Sequence, residues 1–411
     1  MENSEKAPEE KTVKKGAIFT LVFLSHAMNH VQNGMLNVFY PLFREEFGIG
    51  YLGLGFLSTV NQLVSTLLQV TYGFLARFVG RGVLLGVGNI IVGLAGVGIG
   101  FSHGFNQLLG WVGFRSIGAS AQHPVGAATL ASHFPKQRAK VLGLHQSAGN
   151  VGAWIAPILA SSLLLLGIAW RPMISVVSIT SILMGLAYFA FRDLVVPAAA
   201  GENTGGGKKS RAKASWADYK IVIRNRNILF LTLAMISGAA GRGTNVLSTY
   251  LTTYLVDTYH IDAAQAGFFF SAMMAGGIVG PIAVGWLADR ISHKFVCQFT
   301  LLASAFFNFT VIYYPSADWF LATHLALAGV FMWARGPLIE TLFTEATDKA
   351  SLDTLLSIYY TVAFVSGPAW TIITGLVIDH FGVVPAFALM AASYLLGMIF
   401  LAFVKFGPQK T

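Results

Sequence analysis

Arg115, Arg242 and Arg335 stand inside stretches of sequence that are otherwise apolar. Arginine keeps its charge at any reachable pH, and its planar fork matches the paired oxygens of carboxylates and phosphonates. Each of the three either lines a path for an anion or caps helix carbonyls within its own bundle. A second group is the polar series His26, His30, Asn33 and Asn37, with Asn29 beside it. Its spacing of i, i+4, i+7, i+11 places it on one helical face. Ser58, Gln62, Ser65 and Gln69 form a matching face, and Gln146 and Asn150 add a third. Such residues either hold helices together or offer placed hydrogen bonds to a small molecule. The substrate-binding candidates are His26, Asn29, His30, Asn33, Gln62, Arg115, His123, Asn150, Arg242, Asn245 and Arg335.

The candidates for carrying a proton are Glu340 and His30, with His26, His123 and His145 as alternatives, since histidine titrates near neutrality. Glu340 lies about 140° around a helix from Arg335 at 100° per residue, so the two do not share a face. It either titrates or pairs with basic residues such as Arg290. His26 and His30 have the i, i+4 spacing of two zinc ligands. Ala27 stands where a protease would need Glu, and no third ligand is evident, so neither a metal nor a cofactor is expected. His145-Gln146-Ser147-Ala148-Gly149 lacks the first Gly of a nucleophile elbow, and the chain is not expected to be an enzyme.

The elements that must carry these residues are membrane spans. Hydrophobic residues make up 55% of the 411 residues, charged residues 11%, and the mean hydropathy is +0.64. A soluble domain carries about 25% charged residues. A spanning helix needs about 20 residues. Twelve spans can be drawn, at 16–41, 51–76, 82–101, 105–133, 139–166, 169–192, 228–257, 263–288, 294–313, 317–346, 351–380 and 383–406. The expected fold class is therefore an all-α polytopic membrane protein. A barrel is excluded by the length of the segments and their lack of alternation. Gly86, Gly88, Gly93, Gly96, Gly98 and Gly100 mark the third span as one that packs closely on its neighbours.

The basic residues orient the chain: 22 of the 27 Lys and Arg fall on the side that also carries the termini, and only Arg44 and Arg171 on the other. Both termini are then cytoplasmic, in a multi-pass protein of the inner (plasma) membrane. The net charge of +9 thus reflects topology, not nucleic-acid binding. The N-terminus is no signal peptide, and the lone Cys297 excludes an internal disulfide. Residues 1–192 form one six-helix bundle and 228–411 a second. Between them, 193–227 is a linker in which Trp216, Tyr219 and Ile223 suggest either an amphipathic surface helix or a solvated connector. The expected partners are a small-molecule substrate, protons and the lipid bilayer, with the chain working as a monomer.

The two halves repeat. Residues 55–75 align without a gap on 267–287, so Gly73-Phe74-Leu75-Ala76 matches Gly285-Trp286-Leu287-Ala288. Carried upstream, the same offset aligns His30 with Arg242, a candidate anion clamp. Parallel repeats of this kind place a substrate site near the midplane. Gly285, Leu287, Ala288, Asp289, Arg290 and Lys294, with His293 in place of an Arg, resemble the signature between the second and third spans of the major facilitator superfamily. The first half keeps Gly73, Leu75, Ala76, Gly80 and Arg81 but has Arg77 where that family has Asp. A helix 5 signature of exporters in that superfamily is matched at Gly143, Gly152 and Pro157, with Ala156, Ala160 and Ser161 replacing glycines. More narrowly, Ser25-His26-x-x-Asn29, Tyr40-Pro41-Leu42, Glu46-Phe47, Gln62-Leu63-x-Ser65, Leu68-Gln69, His123-Pro124 and Gly149-Asn150 resemble the fosmidomycin-resistance exporters.

The resemblance implies twelve helices in two bundles that move a small, anionic compound by alternating access, as proton-driven export. Uptake or exchange of a small organic anion is the alternative. It also implies gating by Asp289 and Arg290, with Arg77 breaking the symmetry, and conformational or proton coupling for Arg115.

Overall fold

The computed structural model describes residues 6–191, 224–237, 246–346 and 352–405, with side chains throughout except at 6–14, 352–361, 363 and 364. Fourteen α-helices cover these residues, and no strand occurs among them. The first half holds α1 (Lys6–Phe47), α2 (Tyr51–Leu75), α3 (Arg81–Gly100), α4 (Phe105–Ala119), α5 (Ala127–His133), α6 (Arg138–Leu165) and α7 (Trp170–Ala190). The second holds α8 (Arg226–Ser237), α9 (Val246–Tyr259), α10 (Ala263–Arg290), α11 (His293–Thr310), α12 (Trp319–Glu345), α13 (Leu352–Phe381) and α14 (Val383–Ala402). Each of the twelve expected spans overlaps one helix or, for the fourth and seventh, two.

Among the described residues, eight helical segments are long and apolar enough to cross a membrane. The polar series dilutes α1. The fourth span is interrupted between α4 and α5 by a π turn at Gln122–Gly126. Pro124 sits inside that turn and has no N–H to give to an α-helical ladder, which a π turn accommodates. The seventh span is described only as α8 and α9. Arg242 and Asn245, between them, lie outside the described residues, as does the linker through residue 223.

The described residues fall into two compact units, one within Met1–Phe39 and Val60–Gly205, the other within Tyr40–Thr59 and Gly206–Thr411. In the first, α3 packs against α7 through glycine. A methyl at Gly93 would meet Ile182 and the Ser178 carbonyl, and one at Gly96 or Gly100 would run into the hydroxyl of Ser178 or Ser175. Ile18, Val22, Tyr72, Leu85, Val125 and Tyr188 build an apolar core beside this pair. In the second unit, Gly276 and Gly280 of α10 meet the Ala326 and Val330 carbonyls of α12, and Gly329 meets the Met273 carbonyl in return. Backbones approach this closely only where side chains are absent, the usual solution in lipid.

Large apolar side chains point outward instead. Leu67, Val70, Val176, Leu183, Ile282 and Phe306 are all exposed, as side chains that face lipid are. Carboxylates are placed at helix ends: Asp262 caps α10 in a capping box with Gln265, and Asp318 accepts from the Phe320 and Leu321 N–H groups at the start of α12.

Candidate functional site

The polar residues of α1 divide between two directions. Ser25 and Gln32 turn toward α7, where Ser25 lies 2.8 Å from the Tyr188 hydroxyl and Gln32 donates to Ser181 Oγ at 2.6 Å. His26, Asn29, His30 and Asn33 turn toward α4, the π turn and α6. Arg115, on α4, is only 1% exposed. Its Nη2 donates to the Asn29 backbone carbonyl at 2.9 Å and to Asn29 Oδ1 at 3.2 Å, and its Nη1 to Asn33 Oδ1 at 3.3 Å. Asn61 Nδ2 donates to the same Asn33 oxygen at 2.6 Å, and Ser116 Oγ donates to Asn61 Oδ1 at 2.8 Å. The amide dipoles of α1 and α2 thus hold a buried guanidinium in place. Asn61 was missed at the sequence level, because it lies one position off the Ser58–Gln62 face.

One turn along α1 from Asn29, four imidazoles converge. His26 and His30 come from α1, His123 from the π turn and His145 from α6. Ring centroids of His26 lie 4.8 Å from His30, 4.9 Å from His123 and 3.9 Å from His145, the last stacked at 21°. His26 Nδ1 lies 2.8 Å from the His145 carbonyl oxygen. Since a carbonyl only accepts, Nδ1 carries the proton. The fold therefore corrects the expectation that His26 and His30 have no third partner: His123, distant in sequence, completes a group whose ligand atoms all lie within 4.8 Å of one another. Glycines make the room. A Cβ at Gly149 would sit 2.9 Å from His30 Nε2 and 3.0 Å from His26 Cε1, and one at Gly152 would run into the Ala27 carbonyl. Gln62 is half-buried on α2, and Asn150 is exposed on α6.

The remaining candidates belong to the second unit. Arg335 is buried on α12, its guanidinium carbon 5.7 Å from the centre of the Tyr394 ring. Glu340 is half-buried farther along α12. At the end of α10, Asp289 is three-quarters exposed and lies 2.9 Å from His293 Nε2. The other nitrogen of His293, Nδ1, lies 2.7 Å from Glu345 at the end of α12, at ion-pairing distance. The histidine that replaces the signature's Arg therefore stands between two carboxylates. Arg290 stacks on Trp286 at 3.7 Å, and Arg77, in the first unit, is exposed and lies 5.9 Å from the Phe74 ring.

Asp289→Asn should accordingly slow transport several-fold, and Arg77→Ala should leave it near the wild-type rate. An exposed pair is worth about 0.2–1 kcal/mol, and thus up to about fivefold in rate. Initial rates in proteoliposomes decide it, and equal effects of the two would remove the asymmetry.

Sequence reasoning also missed a cluster at the start of α2. Asp379, in the last turn of α13, accepts from the N–H groups of Tyr51 and Leu52 at 2.8 Å each. Asp257, near the end of α9, accepts from the Tyr51 hydroxyl at 2.8 Å and pairs with Arg44. A carboxylate at a helix N-terminus satisfies orphan donors and the helix dipole together. Asp379→Asn keeps one acceptor oxygen and loses the charge. It should cost about 1 kcal/mol, as loss of a cap does, read as a lowered melting temperature that Asp379→Ala lowers further.

The family described as Major Facilitator Superfamily matches residues 22–367 and again 240–411. The chain is similar to the fosmidomycin resistance protein of Escherichia coli, at 20% identity over 93% of this chain and 91% of that one. It is similar also to the cis,cis-muconate transport protein of Acinetobacter baylyi, at 22% identity over 96% of each. Among solved structures, the nucleoside transporter NupG superposes with a TM-score of 0.75 at 12% identity, covering 95% of this chain and all of that one.

Proposed function

We propose that this chain, which belongs to the major facilitator superfamily, moves a small organic anion across the inner membrane by alternating access, as proton-coupled export. The chain is a multi-pass membrane transporter and not an enzyme. The observation that carries the finer reading is the setting of Arg115. It is fully buried in the first unit, its fork held by amide and carbonyl oxygens. From Lys11 to Arg192 the only acidic residues are Glu45 and Glu46. A low-dielectric interior with fixed positive charge and hardly any carboxylates favours anions and rejects cations. Two of the relatives point the same way, being named for fosmidomycin and cis,cis-muconate, both small acidic compounds. Both termini face the cytoplasm on the positive-inside pattern, and the chain acts as a monomer.

The test is transport in liposomes loaded with a pH-sensitive dye. Phosphonates and dicarboxylates are offered with and without an imposed pH gradient. Anion-dependent proton movement supports the reading, and the sign of the interior pH change distinguishes export from uptake or exchange. Transport of organic cations in place of anions would overturn it. Glu340→Gln examines the proton path: if that glutamate carries the proton, anion movement persists only as exchange and ceases to follow the pH gradient.

A further inference from the structure

We propose that His26, His30 and His123 form a binding site for a divalent transition-metal ion of the zinc, nickel and copper group, within the first unit. This goes beyond anion transport and does not depend on it. The three rings come from α1 and from the π turn, and one nitrogen of each falls within 4.8 Å of the others. Around tetrahedral zinc, with Zn–N bonds of about 2.0–2.1 Å, ligand nitrogens stand about 3.4 Å apart. Small rotations of three imidazoles close that difference.

The state of His26 is the second, independent observation. Its Nδ1–H is donated to the His145 carbonyl at 2.8 Å. That bond leaves the lone pair on Nε2, which is buried and has no hydrogen-bond partner. A metal-ligating histidine is oriented in just this way, one ring nitrogen donating to a backbone carbonyl while the other binds the ion. His145 stacks on the same ring and fixes its plane. Gly149 keeps the space beside His26 and His30 clear of any side chain.

The donor set selects the ion. Neutral imidazoles without carboxylates suit zinc, copper and nickel and are poor ligands for magnesium or calcium. Three protein nitrogens leave the fourth tetrahedral position to a water or an anion. An ion held there would tie α1 to the interrupted fourth span.

The test uses full-length protein in detergent micelles, with any affinity tag removed, titrated with zinc chloride alone. Calorimetry, and metal analysis after gel filtration, should give one zinc per chain. Zinc X-ray absorption should show three imidazole nitrogens at about 2.0 Å. His26→Gln, His30→Gln and His123→Gln should each weaken binding by at least about tenfold, whereas His103→Gln, at an exposed histidine outside the cluster, should not. Circular dichroism and gel filtration identify any variant that fails to fold. The absorption spectrum of the wild-type protein decides the matter independently of the variants. Substoichiometric zinc, an oxygen-dominated shell, or binding unchanged in folded His123→Gln would each overturn the proposal.

Discussion

Arg115→Gln should weaken transport of an organic anion by roughly ten- to a hundredfold, and Arg115→Lys should recover only part of the loss. A hydrogen bond to a charged group is worth about 1.5–3 kcal/mol, which corresponds to that range in affinity. Lysine restores the charge but not the planar fork. It also cannot reproduce the arrangement in which Nη1 and Nη2 reach Asn33 and Asn29 together. The measurement is the concentration dependence of anion flux in proteoliposomes, with melting temperature as the control for folding. Glutamine keeps hydrogen-bond donors toward the asparagine oxygens, so a folded variant with lost affinity is the expected outcome. A fully active Arg115→Gln would mean that the guanidinium only joins α1 to α4.

Gly329→Val should prevent accumulation of folded protein, and Gly110→Ala, within α4, should be neutral or stabilising. A Cβ on Gly329 would run into the Met273 carbonyl of α10 and sit 3.0 Å from the Gly277 nitrogen, whereas one on Gly110 meets nothing within 4 Å beyond its chain neighbours. Overpacking costs about 1–3 kcal/mol where side chains can shift. Here the obstacle is backbone on a helix that Gly276 and Gly280 bring equally close, so the cost falls at or above the upper end. At Gly110, alanine gains up to about 1 kcal/mol of helix propensity. Yield of monodisperse protein and its melting temperature in detergent read both. Equal behaviour of the two variants would show that α10 and α12 do not depend on this close approach.

The spans were legible because a bilayer imposes length and hydropathy on each segment independently of its neighbours. The break at Pro124 was not, because 105–133 is long enough to read as one span despite Gln122 and His123, and only the hydrogen-bond register reveals a π turn. Helix ends deceived in another way. Asp257 and Asp379 sit in the last turns of α9 and α13, where a carboxylate looks solvated in sequence. Their partners at Tyr51 and Leu52 lie hundreds of residues away. His293 reads as a weakened Arg in a signature, and only the meeting of three helix ends sets it between Asp289 and Glu345.

By itself the sequence determined that this chain spans the membrane many times, that its halves repeat, and that Arg115 and the His26–Asn33 face lie at membrane depth, turned to protein or water and not to lipid. Composition and helical periodicity are local properties, and a charge in hydrocarbon is costly wherever it falls. Tertiary structure alone decided which of these groups meet. Asn29 and Asn33 hold Arg115, and His123 and His145 reach His26, because Gly149 and Gly152 let α6 close on α1 and the π turn brings in His123. Such contacts are set by packing across helices far apart in the chain, which no spacing along one helix encodes.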